Sequence, residues 1–211
     1  MQTETTQIKE KSTDELLREG LSKAVSYQEY RRLVEILVQE GTSAGPIQSD
    51  DLANYTKLNS KRMNRWDKSV LIDDEDLKVI QKMESKVTWL VLTESWCGDA
   101  APALPVMAKI AELNPNITFK VILRDENVPL MNKFLTNGGL SIPKLIVLDG
   151  VDGSVLGTWG PRSKKATKLV EAHKASHGTI LPEFKQDLQV WYNTDKGQSI
   201  LEDLLVVLAL E

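Results

Sequence analysis

The chain has 211 residues, 41% of them hydrophobic, and a formal charge of −4 from 26 Lys and Arg against 30 Asp and Glu. That length buries a full core in one domain, or one domain with an extension, and the acidic balance gives no reason to expect general affinity for nucleic acid or an anionic membrane. A single cysteine rules out an internal disulfide, so stability rests on packing.

The opening residues Met1 to Thr6 are polar and lack the basic-then-apolar order of a signal peptide. The longest apolar stretch, Leu204 to Leu210, is far short of the ~20 residues that cross a bilayer. A cytoplasmic protein is expected, and the sequon Asn116-Ile117-Thr118 is then an accident of composition.

Two capping boxes, Ser12 with Glu15 and Ser26 with Glu29, predict helix starts. Leu33, Val34, Leu37 and Val38 follow the second at helical spacing, and Gly41 is a stop. Leu52, Tyr55, Leu58, Met63 and Trp66 predict a helix from Asp50 to about Lys68, and another runs from Asp74 to about Ser85. The first 85 residues read as all helical.

From there strands and helices alternate. Val87 to Thr93 is a short, β-rich apolar run of the kind buried on both faces. A helix over Ala101 to Leu113, a strand over Ile117 to Leu123, a helix over Pro129 to Leu135 and a strand over Lys144 to Leu148 follow. Gly138-Gly139 reads as a helix stop. Asp149 to Gly153 is a turn, and Ser154 to Trp159 completes a hairpin. Helices close the chain over Arg162 to Ser176, Pro182 to Tyr192 and Ser199 to Glu211. This is an α/β plan with a mixed sheet of about four strands.

Cys97 falls in Trp96-Cys97-Gly98-Asp99-Ala100, at a strand-to-helix junction where sites in such folds sit. Pro105 follows eight residues later, and Ile142-Pro143 precedes the third strand. Gly153 and Gly160 fit the hairpin turn and the end of the last strand. In joint order and spacing, Val87 to Ser176 resembles the thioredoxin superfamily, with Trp96 to Ala100 standing where that family has Trp-Cys-Gly-Pro-Cys. More closely, the chain resembles bacterial single-cysteine thioredoxin-like proteins that carry Trp-Cys-Gly-Asp-Ala.

The resemblance implies a thioredoxin-like core over 86–178, a helical extension over 1–85, and a second over 179–211 packed on the core. It also implies a cis peptide at Ile142-Pro143 and a groove in which Trp96, Gly98, Asp99, Ser141, Ile142 and Pro143 hold a partner against Cys97. Such loops bind extended peptide by strand addition. The family's resolving cysteine is here Ala100, and its buried aspartate is Val91. Both parts of the resolving half-reaction are absent, so dithiol reductase activity is not expected. The resemblance leaves two functions open. Cys97 is either the sole nucleophile of a monothiol redox or thiol-capture protein, its partner a protein or a low-molecular-weight thiol or disulfide, or the groove is a redox-inert binding module. No cofactor and no metal are expected.

A thiol at a helix N-terminus gains roughly 0.3–2 kcal/mol toward the thiolate from the dipole, while Asp99 about 6 Å away opposes it by roughly 0.7–3 kcal/mol. Sequence leaves the balance open. Lys144 is a candidate cation to offset Asp99, and Asp99 a candidate stabiliser of the helix start. Elsewhere, His173 and His177 have i, i+4 spacing but no flanking ligands, which favours solvent-facing imidazoles over a metal site or a Cys-His hydrolase. Lys57, Lys61 and Arg65 form a row with Arg62 and Lys68 nearby, open to an acidic partner, or to nucleic acid with Trp66 nearby, but read first as a solvated helix face because the whole molecule is acidic. Arg162-Ser163-Lys164-Lys165 reads as a surface helix start. No carboxylate pair with a reason to share a proton stands out. Leu201, Leu204, Leu205 and Leu208 form a stripe that packs on the domain or forms a dimer contact, and the helical first third either covers a sheet edge or walls the site.

Overall fold

The computed structural model describes residues 10–208. Nine helices and five strands are present among them. Both capping boxes form: Ser12 and Ser26 each accept the backbone N–H of the glutamate three residues on, whose carboxylate accepts the cap's own N–H. Helix α1 (Thr13–Lys23) and helix α2 (Tyr27–Glu40) start there, and Gly41 ends α2 in the left-handed conformation at φ 69°. Between them lies β1 (Val25–Ser26), so the first third is not purely helical. Two residues are too few to carry a period-two pattern, and what makes them a strand is a distant partner.

That partner is β3 (Ile117–Leu123), which β1 flanks antiparallel with Val25 opposite Val121. The sheet order is β1-β3-β2-β4-β5. Central β2 (Val87–Thr93) runs parallel to β3 and antiparallel to β4 (Lys144–Asp149), and all of it but Thr88 is buried. Strand β5 (Val155–Trp159) is the exposed edge. The sheet is therefore mixed as expected, with a fifth strand supplied by the first third of the chain.

Helices α3 (Asp50–Ser69) and α4 (Asp74–Lys82) precede the sheet's centre, and α5 (Ala100–Leu113) follows β2 with Pro105 inside it. The segment expected as a helix over Pro129 to Leu135 shortens to α6 (Val128–Met131). After it Lys133 and Phe134 bond back three residues, to Leu130 and Met131. Gly138 is not a helix stop: Asn137 and Gly138, at φ 51° and 76°, turn a miniature hairpin in which Thr136 and Gly139 exchange backbone bonds. Helix α7 (Lys164–His177) begins two residues later than expected. Helix α8 (Pro182–Asp195) runs three further, and α9 (Gln198–Leu208) is described as far as Leu208, the expected last three residues lying outside the described part.

One hydrophobic cluster joins these parts: Leu16, Tyr30, Val34, Met63 and Trp66 from the first third share it with Leu90, Leu104 and Met107, and with Tyr192, Leu201 and Leu204 from the last. The leucine stripe of α9 thus packs inward at Leu201, Leu204 and Leu208. His173 is not a free imidazole either. Its ring lies 4.0 Å from Phe184 and 4.2 Å from His177, and it accepts the Leu181 N–H, so the pair fastens α7 to α8.

Candidate functional site

The loop after β2 carries Trp96 to Asp99 into the first turn of α5, and the Cys97 N–H closes a turn on the Glu94 carbonyl. Across 45 residues of chain, the Cys97 thiol donates to the carbonyl oxygen of Ile142 at 3.3 Å. The Ile142–Pro143 peptide is cis, and Gly160 packs directly behind it at φ 111°. Trp96, Cys97, Gly98, Asp99, Ser141 and Ile142 line one cavity of about 950 Å³. Pro143 is buried behind them and does not line it.

Burial is the largest influence on the thiol. Cys97 is 7% exposed, and loss of water, with the Asp99 carboxylate next, pushes its pKa up to about 12. Backbone N–H groups of Ala100 and Asp99 and the Arg162 cation pull the other way without prevailing. The balance left open by helix dipole against carboxylate is therefore decided by a third effect, desolvation. At neutral pH Cys97 is a thiol.

Asp99 does not cap α5: its side chain makes no cap bond. Instead it forms an ion pair with Arg162 at 2.6 Å and accepts the Tyr192 hydroxyl at 3.1 Å. Burial pushes the Asp99 carboxyl up while Arg162 and Tyr192 hold it down. Arg162 is thus not part of a surface basic run but the cation paired with Asp99 in the site. Lys144, expected in that role, is buried in β4, where desolvation lowers its pKa, and it does not line the cavity.

The walls come from both extensions. Leu52, Tyr55 and Leu58 of α3, whose spacing predicted the helix, face the cavity, while Met63 and Trp66 of the same spacing are buried in the core. The buried face of α3 also includes Thr56 and Asn59, which bond to the Ser95 hydroxyl and carbonyl at 2.7 and 3.3 Å. On the opposite wall, Gln189 of α8 donates to the Gly98 carbonyl at 3.0 Å. Arg124 sits 5.0 Å over the Trp96 ring, pairs with Asp125 at 2.7 Å and donates to the Leu140 carbonyl.

Glu94 is fully buried beside this loop. Its Oε1 accepts the Asp125 N–H at 2.8 Å and its Oε2 has no partner. Burial raises its pKa to about 7; the hydrogen bond from the Asp125 N–H holds it down more than the Asp125 carboxylate pushes it up. This carboxyl was not singled out in the sequence, because Glu94 and Asp125 stand 31 residues apart. Arg162, Tyr192, Gln189 and Arg124 escaped for the same reason: their partners lie in other elements, and no local spacing marks them.

A thioredoxin family model matches residues 45–175, taking in α3 and α4 as well as strands β2 to β5. Among solved structures, a protein of unknown function from Pseudomonas aeruginosa matches with TM-score 0.58 at 19% identity, over 88% of this chain and 98% of its own. An HIV epitope scaffold matches with TM-score 0.56 at 18% identity over the same shares. At those identities the likeness is one of fold. No curated protein matches the sequence. The family match spans more than half of the chain, and by it the chain belongs to the thioredoxin family.

Proposed function

We propose that this protein is a single-cysteine thiol-capture member of its family. Cys97 is the only nucleophile, and the surface from Trp96 to Asp99 with Ser141 and Ile142, backed by the buried Pro143, holds a partner bearing a thiol or disulfide. The observation that carries this reading is the placement of Cys97 Sγ in the wall of a large cavity, 3.3 Å from the Ile142 carbonyl, in a chain with no second sulfhydryl. Cys97 forms a mixed disulfide, and an external thiol releases it. We propose the cytoplasm as its compartment. Neither nucleic acid nor a membrane enters the scheme, and among the described residues no helix is long and apolar enough to cross a bilayer.

The raised pKa sets the rate. A thiol near 12 has roughly a thousandth of the thiolate of an ordinary cysteine at pH 7, partly offset by greater intrinsic nucleophilicity, so capture runs roughly 30- to 100-fold slower than for a free cysteine. A neutral disulfide, bis(2-hydroxyethyl) disulfide, tests this. Wild type gains one adduct mass, at a rate rising about tenfold per pH unit from 7 to 10, whereas Cys97→Ser gains none. No adduct at pH 10 overturns capture. That outcome leaves the second reading, a redox-inert binding module, which the buried, proton-bearing thiol favours.

A further inference from the structure

Six cations line the cavity: Lys61, Arg62 and Arg65 from α3, Arg124 from the loop after β3, Arg162 from the loop between β5 and α7, and Lys185 from α8. Asp99 is the one carboxylate in the lining, and Arg162 already neutralises it. Arg124 is paired outside with Asp125. The other four have no carboxylate partner among the described residues. Arg62 and Arg65 donate only to the neutral side-chain carbonyls of Asn59 and Asn193, at 3.0 and 2.6 Å, and Lys185 lies 5.9 Å over the Tyr55 ring. A protein of net charge −4 has concentrated unpaired positive charge in one half-enclosed space.

Arg62 is the sharpest case. It is half-buried, and the guanidinium lies 4.0 Å from where a Cβ on Gly98 would stand, beside the cysteine loop. Burial, with Arg65 next, works against its charge, the situation that a bound anion relieves. The row of basic residues on α3, expected as a solvated face, is therefore in part a cavity wall, with Tyr55 and Leu58 supplying apolar surface between the charges. The volume is that of a small-molecule site. Two acceptors on which strand addition would draw are already engaged, the Ile142 carbonyl by the thiol and the Leu140 carbonyl by Arg124.

We infer that the partner captured by Cys97 is a low-molecular-weight anionic disulfide, one whose carboxylates or phosphates meet Lys61, Arg62, Arg65 and Lys185 while its sulfur reaches Cys97. This rests on the capture reading. The Cys97 sulfur attacks one sulfur of R–S–S–R, the S–S bond breaks, Cys97–S–S–R forms, and R–S⁻ leaves with the proton given up by the Cys97 thiol as R–SH. A second thiol, R′–SH, then attacks the bound R sulfur, restoring the Cys97 thiol and releasing R–S–S–R′.

Three disulfides of similar size separate charge from chemistry: 3,3′-dithiodipropionate is dianionic, bis(2-hydroxyethyl) disulfide neutral and cystamine dicationic. At low salt the expected order of adduct formation on wild type is dianion, neutral, dication, with at least tenfold between the first two, and 0.5 M salt compresses it. The double variant Lys61→Glu with Arg65→Glu brings the dianion-to-neutral ratio to one or below. Calorimetry on Cys97→Ser, which cannot react, shows salt-sensitive binding of dithiodipropionate and none of cystamine. Equal rates for the three disulfides, or a ratio that the double variant leaves intact, overturn the inference even where adducts form. If no disulfide reacts, the capture reading falls, and Cys97→Ser binding decides whether the anion site stands without it.

Discussion

At the residue scale, the behaviour of the site follows from one buried pair and two buried acids. Asp99 is paired with Arg162, so the carboxylate still opposes the thiolate but is held in a bond of its own. Glu94 behind the loop supplies a second, separable effect. Its folded pKa of about 7 stands above the 4.5 of an ordinary glutamate, so the unfolded chain loses this proton first as pH rises. Stability from Glu94 is thus full below pH 4.5 and is lost as pH climbs through 7, by roughly 3 kcal/mol. Glu94→Gln keeps the acceptor for the Asp125 N–H and removes the titration. Urea unfolding between pH 5 and 8 is expected to show a flattened pH dependence in this variant, which is the more stable protein at pH 8. A wild-type slope retained in the variant would show that another group titrates.

At the scale of elements, local signals read correctly wherever short-range chemistry sets the structure. Serine caps with a glutamate three residues on, glycine at a helix end and an uninterrupted β-rich run each act within a few residues, and α1, α2 and β2 formed as expected. Strand β1 and the Asn137-Gly138 hairpin were missed, because the first depends on β3 nearly a hundred residues away and the second hides behind an adjacent glycine. The apolar spacing of α3 correctly marked a helix but not its orientation, since Thr56 and Asn59 turn inward to bind Ser95. The junction of β5 with α7 is where an element holds the site in register. A Cβ on Gly160 would collide with the Pro143 carbonyl oxygen, and φ 111° disfavours any side chain. Gly160→Ala is expected to cost more than about 2 kcal/mol in urea unfolding and to expose Cys97, read as faster labelling by a neutral alkylating reagent. Unchanged labelling would mean that the loop relaxes without moving the thiol.

At the scale of the whole molecule, the extensions are not appendages. Strand β1 and helix α3 supply a sheet edge and a cavity wall, and α8 supplies Gln189 and Tyr192, which bond to Gly98 and Asp99. We propose that the core over 86–178 does not fold without them, since Leu104 and Met107 share one cluster with Trp66, Met63, Tyr192 and Leu204. A fragment of residues 86–178 is expected to show collapsed amide dispersion in its proton–nitrogen spectrum and no cooperative unfolding. A well-dispersed spectrum would make the core autonomous and the extensions later additions.

The sequence by itself determined the order of strands and helices from Val87 onward, the family likeness, the lone cysteine near a helix start and the alanine where the family has its second cysteine. Each is written in residue types at short spacing, where capping, periodicity and covalent neighbourhood act. Only the tertiary structure decided that Cys97 is a buried thiol, that Arg162 rather than Lys144 faces Asp99, and that basic residues of α3 and α8 enclose one cavity. Desolvation and charge pairing depend on which distant atoms arrive together, and no spacing along the chain encodes that.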